Sequence, residues 1–387
     1  MSDKLKSFLD DLSFEQNLPS YDYLFTVADG AASTLETEVT DYRPANVFNS
    51  VGGLIDFTSP SQKKLPLIIV PDMHARAYFL RNILNYKLPE DFLSDGESGE
   101  QASNDETAGK AEIPEGTETL ENAGNTENGG NLENTGNPEN TGKSVTVFEA
   151  LTKGLVRIVF VGDLLHSELR CRLRWMEALV EFKNHIYNGK AMTEEMQEGL
   201  TLLSMIMELK IAFPEFVHIL KGNHENIMNL RSPGDYPFRK FANEGEMVRQ
   251  FMSQVYGDDI LMIISCFEKN LPLAAIFPDC IISHAEPVRA FSRDELINGM
   301  DIDDVIRGLT WTENNAAKEG SVKEMLDAMT LNRQSLYFGG HRPIQGSYAL
   351  RQKGRYVQIH NPDMQYITLV YKDKPFELDR DIVRVGE

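Results

Sequence analysis

Val156-Arg157-Ile158-Val159-Phe160-Val161-Gly162-Asp163-Leu164-Leu165-His166 is the stretch on which the reading of the chain turns. Its apolar, largely β-branched run is that of a strand buried on both faces, as in a parallel sheet covered by helices. It closes on Gly162-Asp163, so a carboxylate stands where the strand opens at its carboxyl end. Open α/β sheets bind their ligands at that end. One Gly-Asp pair is an ordinary turn signal. The weight comes from its repetition along the chain.

Upstream, Leu65-Pro66-Leu67-Ile68-Ile69-Val70 reads as a second buried strand, with Pro66 near its start where a missing N–H is tolerated. It exits into Asp72-Met73-His74-Ala75-Arg76. Downstream, Phe216 to Leu220 exits into Lys221-Gly222-Asn223-His224-Glu225. Leu273 to Ile276 and Cys280 to Ser283 read as a hairpin leading into His284-Ala285-Glu286. Ser335 to Phe338 leads into Gly339-Gly340-His341-Arg342-Pro343, and closing strands are expected near Tyr356 to Ile359 and Tyr366 to Tyr371. Leu169, Leu173, Met176 and Val180 fall at helical spacing, as do Met196, Leu200, Leu203 and Met207. Both stripes are expected to be core faces, with Trp175 beside them. The sum is a layered α/β domain.

The formal net charge of the 387 residues is −21, and the segment from Asp95 to Lys143 holds twelve acidic and two basic residues. From Leu120 it repeats in hexapeptides, LENAGN, TENGGN, LENTGN and PENTGK. Units so poor in apolar side chains cannot offset their ordering entropy. A disordered acidic insertion at 95–144 is therefore expected inside a domain spanning 65–387. Residues 1–64 form an N-terminal extension on or near the core, with a helix or two and an edge strand. An acidic surface repels a phosphate backbone, which weighs against nucleic acid as a partner. Three widely spaced cysteines, Cys171, Cys266 and Cys280, fit a reducing compartment. The charged start lacks a signal-peptide core, and no apolar run reaches membrane-spanning length. A soluble cytoplasmic protein is expected.

The strand exits supply Asp72 with His74, Asp163, Asn223 with His224, His284, and His341. In an extended Asp-x-His, side chains two apart point the same way, so Asp72 and His74 can share a cation. A carboxylate can bridge two metal ions about 3.5–4 Å apart. Asp163, from a central strand, is the candidate bridge. Two divalent cations against Asp72 and Asp163 leave a net charge of about +2, suited to a phosphate, and the neutral amide of Asn223 ligates without cancelling it. Imidazole, carboxylate and amide without thiolate suggest Mn, Fe or Zn. His185, His218 and His360 fall outside the pattern and are given no role.

Asp72-Met73-His74, Gly162-Asp163, Gly222-Asn223-His224-Glu225, His284 and Gly340-His341, in that order, resemble the signature of the calcineurin-like metallophosphoesterases. Within them the chain is most similar to the phosphoprotein phosphatases acting on serine and threonine. Glu225 after the Asn-His pair, the approach Cys266 to Ala275 before His284, Thr310-Trp311-Thr312-Glu313, and Arg342-Pro343 after His341 carry that likeness. It covers about Leu65 to Tyr371 apart from the insertion. The resemblance implies two facing mixed sheets flanked by helices. It implies Asp72, His74 and Asp163 on a first metal, and Asp163, Asn223, His284 and His341 on a second. It makes His224 the proton donor to the leaving oxygen. The phosphatases read Gly-Asp-x-x-Asp-Arg-Gly after the central strand, whereas this chain reads Gly162-Asp163-Leu164-Leu165-His166-Ser167-Glu168. His166 thus replaces the aspartate that orients the catalytic histidine, and becomes a second catalytic candidate. Ser167 replaces a phosphate-clamping arginine, for which Arg76, Arg170 or Arg342 could substitute. The leading reading is a metal-dependent phosphomonoesterase acting on a phosphorylated protein or small molecule. A phosphodiesterase or nuclease on the same site, and a non-catalytic interaction protein, are the alternatives.

Overall fold

A computed structural model describes residues 2–94, 144–330 and 332–386. The hexapeptide repeat, and with it nearly all of the expected insertion, lies outside the described residues. Among those described there are eleven strands: β1 (Leu54–Asp56), β2 (Leu67–Val70), β3 (Arg157–Phe160), β4 (Val217–Ile219), β5 (Ala274–Phe277), β6 (Cys280–Ser283), β7 (Leu336–Gly339), β8 (Ala349–Arg351), β9 (Tyr356–Gln358), β10 (Tyr366–Val370) and β11 (Ile382–Arg384). They form two mixed sheets, one ordered β1-β5-β6-β7-β9-β8 and the other β11-β10-β2-β3-β4. In the smaller sheet β2, β3 and β4 run parallel, with β10 antiparallel on β2. In the larger, β6, β7 and β9 run parallel and β5 pairs antiparallel with β6, as the expected hairpin requires.

Side-chain alternation explains the layering. Leu67, Ile69, Val159, Val161 and Leu220 of one sheet meet Ala275, Phe277, Ile282, Phe338 and Val357 of the other in a shared core. Their neighbours Ile68, Val70, Ile158 and Phe160 point outward into a helical layer that includes the helix Lys190–Ala212. Ala274, Ile276, Ile281 and Tyr337 point out on the other side, against Leu296, Val305 and Met325. A strand apolar on both faces is what a sheet covered on both sides demands. The result is two facing sheets flanked by helices. Residues 1–64 contribute the helices Ser2–Leu12 and Tyr21–Glu36, and β1 at the edge of the larger sheet, parallel to β5. No helix among the described residues is long and apolar enough to cross a membrane.

One expectation fails. Met196, Leu200, Leu203 and Met207 are buried, but Leu169, Leu173, Met176 and Val180 are 66%, 75%, 47% and 60% exposed. The helix Arg172–Lys183 buries its opposite face through Trp175 and Ala178, and Leu169 precedes it in a 3₁₀ turn. Periodicity identified an apolar face, but burial of a helix face depends on what lies across from it.

Candidate metal centre

The parallel strands β2, β3 and β4 bring Asp72 with His74, Asp163, and Asn223 with His224 to one edge of the smaller sheet. From the larger sheet β6 and β7 deliver His284 and His341 to the same place, and all seven side chains are buried. The turns that aim them are left-handed: φ is +46° at His74, +56° at Asp163, +67° at His166, +53° at Glu168 and +64° at His341. L-residues enter this region at a cost, and such outliers cluster at functional sites. The Asp72-Met73-His74 segment therefore ends in a turn at His74, where an extended one was expected. Gly340 is needed for close approach, since a Cβ there would fall 1.7 Å from Asp72 Oδ2. The Glu225 carboxylate supports the exits of β3 and β4, accepting from the backbone N–H of Asp163 (3.0 Å), Leu164 (2.9 Å) and Gly222 (2.6 Å).

Asn223 Oδ1 lies 2.9 Å from His284 Nε2 and 2.8 Å from His341 Nδ1, while Asp163 Oδ2 is 3.4 Å from the same His284 nitrogen. His284 Nδ1 faces the carbonyl of Val161 at 3.0 Å, which leaves its Nε2 as a lone pair in the neutral ring. Burial, then the neighbouring His341, holds His284 well below the usual histidine range, so the ring is neutral. A neutral nitrogen and an amide oxygen 2.9 Å apart are two acceptors facing each other. A cation between them removes the conflict, for adjacent ligands bound at about 2.0–2.1 Å sit close to that spacing.

The second half of the cluster is built alike. His74 Nδ1 meets the His166 carbonyl at 3.1 Å, and its Nε2 points toward Asp163 Oδ2 at 3.8 Å. That Nε2, together with Asp72 Oδ2 and His341 Nε2, is buried without a hydrogen-bond partner. Burial pushes the carboxyls of Asp72 and Asp163 well up, and lowers His74 well below its ordinary value. Metal-binding histidines commonly spend one ring nitrogen on a backbone carbonyl, as His74 and His284 do here. Buried lone pairs without a donor, beside the groupings Asp72–Asp163–His284 and Asp72–His74–His360, fit the binding of metal ions.

No protein-family model matches the chain, and neither does any curated protein. Among solved structures, a protein serine/threonine phosphatase from Saccharomyces cerevisiae with similarity to human phosphatase PP5 aligns over 91% of this chain and 83% of that one, with a TM-score of 0.50 and 13% identity. The chain shares its fold with that protein. A cold-active protein tyrosine phosphatase aligns at a TM-score of 0.37 and 11% identity, over 79% of this chain and 74% of that one. Another, from a psychrophile Shewanella species, aligns at 0.32 and 14%, over 55% and 64%.

Within this fold the remaining candidates are placed as follows. His166 is buried, its ring 4.8 Å from that of His224 and 5.7 Å from Trp175, and burial lowers it to about 4. The His224 ring packs against that of Phe238, centroids 3.9 Å apart and planes tilted by 56°, and its Nε2 lies 3.7 Å from Asp163 Oδ2. Arg76 is buried and committed to the carbonyls of Met73 and His74 and to the carboxylate of Asp363. Arg342 pairs with Glu313, and Arg170 with Glu198. Ser167 turns away from the cluster, its Oγ donating to Glu195 at 2.5 Å.

Three residues escaped the sequence reading. His360, given no role there, places Nδ1 3.6 Å from Asp72 Oδ1 and its ring 5.0 Å from His74. It lies two residues past the end of β9, so the rule of ligands at strand exits applied to it, although it sits in no motif. Glu168 reaches within 3.8 Å of His74 Nε2 and 3.6 Å of His224 Nε2. Lys240 donates to Glu168 at 2.7 Å. Nothing in their spacing announced either. His218, left out on the same grounds as His360, is a core histidine with Nε2 3.2 Å from the Glu215 carbonyl.

Proposed function

We propose that this protein hydrolyses phosphate esters with two divalent cations, Mn, Fe or Zn. Asp72, His74 and Asp163 would hold the first, and Asp163, Asn223, His284 and His341 the second. The observation that carries this reading is the set of buried, unpartnered lone pairs around Asp163. Two such cations polarise a phosphoryl oxygen and lower the pKa of an attacking water. The protein's own part is to hold the ester in place and to manage a proton.

His224 is the proton donor in this reading. Its backbone N–H donates to Asp163 Oδ1 at 3.0 Å, which fixes the ring beside the cluster, and Phe238 shields one face. Burial, then His166 and His74, pushes it well below the usual histidine range. The Glu168 carboxylate 3.6 Å from Nε2 works the other way and favours the protonated ring. His166, packed against His224 with the rings 4.8 Å apart, restrains it in place of the aspartate that the phosphatases use. The substrate in the leading form of the proposal is a phosphorylated protein or small monoester. A cytoplasmic setting goes with it, as does the low expectation of nucleic acid as a partner. A second reading, hydrolysis of phosphodiesters, is favoured by one observation: Ser167 points to Glu195, so no side chain at that position clamps a dianion.

The test is turnover of a monoester and a diester panel by the full chain with each of Mn²⁺, Fe²⁺ and Zn²⁺. Hydrolysis that is abolished by a chelator and restored by metal supports the proposal. No turnover of either class with metal bound sinks it. In the same assay His224→Ala should lose about 10²–10⁴-fold in rate, the range of general acid catalysis. The loss should be smaller for esters with acidic leaving groups. An equal loss for good and poor leaving groups would remove His224 from the proton-donor role.

A further inference from the structure

Glu168 occupies an expensive place. Its φ of +53° lies in the left-handed region, where the phosphatase pattern has glycine and a glutamate is strained. Its carboxylate is nevertheless held firmly, by Lys240 at 2.7 Å, and it stands 3.8 Å from His74 Nε2 and 3.6 Å from His224 Nε2. Those two nitrogens mark the first cation's side and the proton donor, so the carboxylate borders the space that the ester must enter.

Among the described residues the cations near the site are drawn into ion pairs, with only the Nε of Arg342 buried without a partner. Arg76 is paired with Asp363, Arg170 with Glu198, Arg342 with Glu313, and Lys240 with Glu168 itself. Where an arginine clamp would add one positive charge, the Glu168–Lys240 pair adds none and turns its negative end toward His74 and His224. A fixed negative charge repels a dianion about twice as strongly as a monoanion at the same distance. We propose that Glu168, positioned by Lys240, is a charge filter that favours singly charged phosphodiesters over doubly charged phosphomonoesters. This inference rests on the two-cation reading and, of its two substrate forms, selects the second, the phosphodiester.

The test compares the metal-loaded full chain with Glu168→Gln and Glu168→Gly. Glycine takes this φ freely, so the second variant keeps the fold even if the first is perturbed. The substrates are p-nitrophenyl phosphate and methyl p-nitrophenyl phosphate; they share a leaving group, so any effect through His224 cancels in their ratio. Removing the charge should raise the monoester to diester ratio of kcat/KM roughly tenfold or more, the scale of one like charge at contact distance. Inorganic phosphate at pH 8, measured by calorimetry, should bind tighter by a similar factor, with metal content unchanged. An unchanged ratio together with unchanged phosphate affinity overturns the filter. Loss of a metal ion in both variants also overturns it, because Glu168 would then be a ligand. If the wild type turns over neither ester, the two-cation proposal fails separately, and the phosphate affinities still decide whether Glu168 repels a dianion.

Discussion

Two of the buried polar clusters among the described residues are finished differently. Around Glu38 the charges close on themselves. Its carboxylate pairs with both Arg43 and Lys210, with His218 3.8 Å away. Lys210 also donates to the carbonyls of Pro214 (2.8 Å) and Val217 (3.0 Å), and Arg43 to that of Gly52 (2.9 Å). Around Asp163 the opposite holds. Among the described residues the carboxylates of Asp72 and Asp163 meet several imidazoles and no Lys or Arg pairs with either, and lone pairs of Asp72, His74 and His341 have no donor. Burial raises both site carboxyls well above their usual range, whereas the bases around Glu38 more than offset its burial and hold it below. A cluster whose charges pair with one another serves the fold. One that leaves buried acceptors facing each other is suited to a cation.

Substitutions should break this contrast in opposite directions. Asp72→Asn is expected to cost about 10³-fold in kcat/KM, the several kcal/mol that a metal centre contributes. The same change should stabilise the metal-free protein by roughly 1 kcal/mol, since it removes a buried, uncompensated carboxylate. In the other cluster, Glu38→Ala strands two buried cations and should destabilise by about 3–5 kcal/mol in urea melts. If both changes destabilise the metal-free protein equally, the two clusters do not differ in the way described.

The Asp163 side of this contrast was legible in the sequence, for a physical reason, whereas nothing there singled out Glu38, Arg43 or Lys210. A strand buried on both faces writes a continuous apolar run, and a polar ligand type at its exit stands out against it. That is why Asp72, Asp163, Asn223, His284 and His341 could be brought together before any coordinates. His360 follows a strand in the same way, but no neighbouring residue marked it. The turn after β3 was readable as a motif but not as a geometry. Left-handed residues at His166 and Glu168 rotate the chain, so Ser167 faces Glu195 and Glu168 takes the inward place. Helical spacing made the stripe from Leu169 to Val180 visible but could not say that Trp175 and Ala178 would be the buried face.

Two smaller effects sharpen the comparison. Burial lowers His218 to about 4, below its unfolded value of about 6.5. The unfolded chain therefore binds the extra proton first, and stability is lost as pH falls from about 6.5 toward 4. Between pH 7 and pH 5 this amounts to roughly 2 kcal/mol, and His218→Gln should flatten that part of the pH–stability profile by about as much. An unchanged slope would show that His218 is not the group responsible. The smallest effect concerns 95–143. Tyr86 and Leu88 are tied to Val147 and Val145 by backbone hydrogen bonds of 3.0 and 2.9 Å, so the chain on either side of the segment is already paired. Replacing 95–143 by a short Gly/Ser linker should shift stability by no more than about 0.6 kcal/mol per doubling of loop length and leave metal binding intact. A large drop in melting temperature would give the segment a structural role.

The account stands on the two cations, and elemental analysis of the purified full chain tests them most directly. After exposure to Mn²⁺, Fe²⁺ or Zn²⁺ and removal of excess, it should carry two ions per chain, and Asp163→Asn, which weakens the bridge, should carry at least one fewer. A chain that retains none, or an Asp163→Asn variant that still holds both, would contradict it.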